Sequence, residues 1–118
     1  MDADFKRIYD LEQIKQSSDE KAVRTIFFDT DCTSAAIWVV RPGQHVELHR
    51  HPSSDDVWIC LAGTGVFDGG DGKPVEVHPG MVLVSPRGVA HGFTNTGDVD
   101  FEYVSVVAPV PADYESLE

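Results

Sequence analysis

The stretch "GQHVELHRHPSSDDVWICLAG", Gly43 to Gly63, decides how this chain is read. His49 and His51 stand one residue apart. In a β-strand alternate side chains share a face, so the two imidazoles project to the same side and can grip one ion without distorting the backbone. Pro52 has no N–H to give a strand ladder, so the strand is expected to stop there, and Ser53-Ser54 turn the chain. A second strand then begins near Asp56 and brings a carboxylate back toward the same point. If Asp56 faces inward, so do Trp58 and Cys60, while Val57, Ile59 and Leu61 face outward. A fourth donor is offered by His91 in "PRGVAHGF", just after a Pro/Gly turn. Three imidazoles and one carboxylate suit a divalent transition metal, with positions left for water or substrate.

The rest of the chain has the texture of short strands. "VRTIFF", "AAIWVV", "VWICLA", "VEV", "MVLVS" and "FEYVSVV" are rich in β-branched and aromatic residues, and "DTD", "RPGQ", "DGGDGKP", "HPG", "PRG" and "NTGD" separate them. That rhythm predicts an all-β antiparallel sandwich or barrel. The core barrel is expected over about 22–109, after a polar N-terminal segment, 1–21, and before an extended, solvated acidic tail, 110–118. In the first segment "YDLEQIKQSSDEK" reads either as a short helix, with Asp10 and Gln13 as a capping box, or as an edge strand. The 118 residues fit one domain.

Nine Lys and Arg against 20 Asp and Glu leave a net charge of −11, which repels phosphate backbones and anionic membranes, so neither is expected as a partner. The start of the chain is acidic, with no apolar stretch behind it, and a cytoplasmic protein with reduced thiols is expected. Cys60 reads as a buried small hydrophobe, and "DGGDGKP" as a hairpin turn.

These residues resemble the two motifs of the cupin family. Gly43, His49-x-His51, Asp56 and Gly63 follow the first motif; Gly80, Pro86-x-Gly88, His91 and Asn95 follow the second, with 16 residues between. The resemblance implies a jelly-roll β-barrel, often a homodimer, with His49, His51, Asp56 and His91 around an Fe, Mn, Ni or Zn ion inside its mouth. It makes Gly43, Gly63, Gly80 and Gly88, together with Pro86 and Asn95, turn-formers. The family's acidic ligand is usually Glu. Asp at position 56 shortens the reach by roughly 1.3 Å, so either the strand moves inward or the carboxylate binds through water, and Asp56→Glu is expected to keep or raise metal affinity. Asp55 is the alternative ligand, but the spacing to Gly63 favours Asp56.

Glu47 and His45 share the strand parity of His49, which makes Glu47 a candidate proton acceptor against a plainer reading as a solvated rim residue. Trp58, Phe93 and Tyr103 are expected to line the pocket, and Val57, Ile59 and Leu61 to form part of a dimer face. Cupins include dioxygenases, isomerases, epimerases, decarboxylases, lyases and non-catalytic binders. The leading expectation is therefore a metalloenzyme, of oxygen-activating type, acting on a small organic molecule. The alternative is a module that binds or senses such a molecule through the metal without changing it.

Overall fold

A computed structural model describes residues 6–118; the start of the N-terminal segment lies outside the described residues. Ten strands form two five-stranded antiparallel sheets. The first contains β1 (Val23–Asp29), β2 (Ser34–Val40), β4 (Asp55–Ala62), β7 (Val82–Ser85) and β9 (Phe101–Ala108), in the order β1-β2-β9-β4-β7. The second contains β3 (His45–Arg50), β5 (Gly65–Asp68), β6 (Val75–Val77), β8 (His91–Thr94) and β10 (Glu115–Ser116), in the order β10-β3-β8-β5-β6. The jelly-roll expectation holds, and each of the six apolar runs falls on a strand. No helix of the described residues is long and apolar enough to cross a membrane.

The core lies between the sheets. Val40, Val46, Trp58, Cys60, Val77, Phe93, Phe101 and Tyr103 form its buried cluster. Along β4 the alternation is as expected: Asp56, Trp58 and Cys60 are buried, while Ile59 and Leu61 are exposed. Gly43, Gly63, Gly80 and Gly88 all have positive φ, between 76° and 91°. At Gly63 a side chain is excluded twice over, since a Cβ there would lie 2.4 Å from the Asp100 carbonyl oxygen. Asn95 is buried and closes its turn by donating to Val40 and Val99 carbonyls and accepting from the Gly97 N–H.

One open alternative is decided and two expectations are corrected. The segment "YDLEQIKQSSDEK" carries a one-turn helix, α1 (Leu11–Ile14), and no edge strand. The Asp10 carboxylate caps it by accepting from the Glu12 N–H, the local bond that makes Asp favourable at this position. Strand parity does not run unbroken from His45 to His49, because β3 bulges. Val46 opposes Phe93 and His49 opposes His91, so three steps on β3 match two on β8. The bulge turns Val46 into the core, where it packs with Phe93. Finally, the acidic tail is exposed but not free. It folds back so that β10 pairs with the end of β3, Glu115 against Arg50 and Ser116 against His49, and Leu117 N–H donates to the Leu48 carbonyl at 2.9 Å. Backbone bonding to a vacant strand edge holds this segment, and its charge pattern gives no hint of that.

Candidate metal centre

Each of the four expected ligands arrives from a strand end, at the mouth between the sheets. His49 is the last but one residue of β3 with His51 just beyond the strand, His91 opens β8 directly opposite His49, and Asp56 is the second residue of β4 on the facing sheet. Their donor atoms all lie within 4.8 Å of one another, and His49, Asp56 and His91 are buried, with 5%, 3% and 1% of their surface exposed. The ring centroids of His49 and His91 are 4.2 Å apart, and those of His51 and His91 are 5.4 Å apart.

The imidazoles are oriented alike. Nδ1 of His49 donates to the Glu47 carbonyl at 2.7 Å, that of His51 to the Asp113 carbonyl at 2.8 Å, and that of His91 to the Val89 carbonyl at 3.1 Å. A carbonyl only accepts, so each Nδ1 donates and each Nε2 is the ring atom left to face an ion, which must displace any proton that His51 or His91 shares there with Asp56. The Oδ2 of Asp56 lies 3.0 Å from His91 Nε2 and 3.5 Å from His51 Nε2. Around an ion with bonds of about 2.1 Å, neighbouring donors lie about 3.0–3.4 Å apart. The four residues therefore have the chemistry and spacing of a metal-binding set, and the aspartate reaches the imidazole nitrogens despite its shorter chain. Asp55, the alternative, is exposed and accepts from the Arg87 N–H.

The second Asp56 oxygen, Oδ1, accepts from Ser105 Oγ at 2.7 Å. Burial disfavours the Asp56 charge, but hydrogen bonds from His51, His91 and Ser105 outweigh it and hold the carboxyl well below the usual carboxylate range. Burial lowers the pKa of His49, reinforced by the charges of His51 and His91, against the raising effect of its bond to Glu47. The Asp56 carboxylate raises that of His51, with burial working against it.

The cluster opens into a cavity of about 800 Å³ between the sheets. Trp58 and Tyr103 stand on its wall. Phe93 does not: it is 2% exposed and stacks on Phe101 with 4.0 Å between centroids, one layer deeper. Two inward steps separate it from His91 at the mouth, so sharing a face does not mean sharing a depth. Glu47 lines the cavity and accepts from the Tyr114 hydroxyl. His45 is an exposed rim residue beside Glu118.

Sequence reading missed the tail. Tyr114 stacks on His49 with 4.9 Å between centroids and 17° between planes. Asp113 also accepts from the N–H and hydroxyl of Ser53, which lowers its pKa. Ser105 was legible in principle, as the one polar residue in the inward row Phe101, Tyr103, Ser105, Val107.

Comparison with known proteins agrees with this geometry. The family model described as "Cupin domain" matches residues 36–107. The chain belongs to the cupin family. It is 36% identical over 66 residues to the oxalate-binding protein of Thermotoga maritima, covering 56% of this chain and 54% of that one. It is 38% identical over 72 residues to Protein SchB of Streptomyces halstedii, covering 61% and 51%. The chain thus spans about half the length of these relatives. A double-stranded β-helix protein of Klebsiella pneumoniae superposes with a TM-score of 0.92 and 28% identity, over 97% of this chain and 99% of that one.

Proposed function

We propose that this cupin is a metalloenzyme that binds a divalent ion through His49, His51, Asp56 and His91 and acts on a small organic molecule in the adjoining cavity. The observation that carries the reading is the common orientation of the imidazoles, three Nδ1 atoms on main-chain carbonyls, with the Nε2 atoms of His51 and His91 against Asp56 and all four donors within 4.8 Å. An unspecialised core would leave such buried polar groups poorly satisfied. An ion there would supply Lewis acidity and, as Fe(II), electron transfer toward dioxygen. The chain itself would orient the substrate over Trp58 and Tyr103 and limit water by closing the mouth with the tail. Glu47 and Tyr114 would exchange a proton with the substrate. Metal analysis of the purified protein, then anaerobic loading with Fe(II), Mn(II), Ni(II) or Zn(II) and product analysis under air, tests this. Ligands bound tightly but returned unchanged with every ion would leave a binding module. The oxalate-binding relative supports that second reading.

The same reading takes residues 1–118 as a single cupin domain working as a homodimer. The outer face of β4 and β7 supports the dimer, since Ile59, Leu61, Val82 and Val84 are 39–61% exposed there. A cytoplasmic setting is supported by Cys32 and Cys60, both free thiols. The net charge of −11 argues against nucleic-acid and membrane partners.

A further inference from the structure

Across the cavity from Asp56, at the far edge of the first sheet, stand two cations. Alternate residues of the first strand region, Ala22, Arg24 and Ile26, line the cavity, and Lys21 adjoins them. Among the described residues Lys15, Arg41, Arg50 and Arg87 pair with carboxylates, whereas Lys6, Arg7, Lys21, Arg24 and Lys73 have no such partner, and of these five Lys21 and Arg24 are the ones on the cavity. The acidic groups on the cavity are engaged or distant. Asp56 is in the cluster, Glu47 accepts from Tyr114, Asp113 accepts from Ser53, and Asp29 lies at the other end of β1, opposite Ser34.

Between the cluster and Arg24 the wall is apolar. Ile26 is 47% exposed although it faces the cavity, and Trp38 and Val107 adjoin it. Arg24 shares a ladder rung with Trp38, Tyr103 and Cys60. It therefore lies three strands across and four residues along from Asp56. On a flat sheet that is about 14 Å by about 13 Å, and barrel curvature and the length of the arginine side chain shorten it.

We propose that the cavity takes an elongated organic anion, with chelating oxygens at the His49–His51–Asp56–His91 end, an apolar middle along Ile26 and Trp38, and a second anionic group held by Arg24 with Lys21 beside it. The proposal rests on the metal-site reading for its first contact only. Arginine is suited to the far end because its fixed fork of donors matches a carboxylate.

Calorimetric titration of Mn(II)-loaded and metal-free protein with 2-oxo diacids of five to nine carbons, each beside the 2-oxo monoacid of equal length, tests it. The expected result is a diacid of one preferred length binding the loaded protein roughly tenfold or more tighter than its monoacid, in line with a charge-assisted contact. Arg24→Gln, at an exposed position, should abolish that preference and leave the monoacid affinity unchanged. Equal affinity of diacid and monoacid at every length, no binding by either, or an equal loss of both in Arg24→Gln would overturn the proposal. If Mn(II) fails to bind while metal-free protein keeps an Arg24-dependent diacid preference, the metal reading falls and the anion site stands. If Mn(II) binds and no diacid preference exists, the reverse holds.

Discussion

The main-chain carbonyl of Asp113 accepts a hydrogen bond from Nδ1 of His51 at 2.8 Å, so a residue five positions before Glu118 orients the ring of a candidate metal ligand 62 positions earlier. Such supporting bonds commonly contribute 10- to 100-fold to metal affinity. A chain ending at Val110 should therefore fold, as judged by circular dichroism, but bind Zn(II) at least about tenfold more weakly. Unchanged affinity in a titration would show that the tail only rests on the site.

Asp56 gives a sharper test. Its Oδ2 already lies 3.0 Å from His91 Nε2, and Ser105 holds its Oδ1. A longer side chain would overshoot and give up the Ser105 bond. Asp56→Glu is thus expected to weaken Mn(II) binding by about tenfold, and Asp56→Ala by at least as much. Sequence alone favours the opposite outcome for the glutamate, because there the shorter reach looks like a deficit. Equal or tighter binding by Asp56→Glu would restore the water-mediated reading.

Metal affinity should rise with pH. His49 is held below its ordinary value of 6.5 mainly by burial and gives up its proton more readily, but His51 is raised above 6.5 by Asp56 and keeps its proton longer. A metal must displace that proton. Affinity should fall about tenfold per unit as pH drops through the raised value of His51 and level off above it. Zn(II) titrations in steps from pH 6 to 8.5 check this, and a flat profile would mean that His51 does not ligate.

The outer face of the first sheet makes an assembly prediction. Val57 opposes Val84 and Ile59 opposes Val82, with Leu61 beside them. Such an exposed apolar patch is normally covered. Sedimentation should give a dimer at micromolar concentration, and Ile59→Glu with Val84→Glu should give a folded monomer. A wild-type monomer throughout that range would remove the patch from consideration as an interface.

Much was legible in the sequence because its determinants are local. Extended backbone brings His49 and His51 to one side, β3 stops at Arg50 just before Pro52, and Trp58 and Cys60 follow Asp56 inward by the two-residue repeat of a pleated strand. Turn glycines mark positions where other residues meet a backbone penalty. The features that only the tertiary structure decided are long-range. The β3 bulge depends on how Val46 and His49 align with Phe93 and His91, and the depth of Phe93 depends on Phe101 beneath it. The tail depends on a vacant strand edge at Leu48 to Arg50, and Arg24 reaches the cavity because β1 lies at the far side of the sheet. Backbone groups are chemically alike in every residue, so which carbonyl holds His51 and which edge the last residues join is set by where the folded chain leaves bonds to be made.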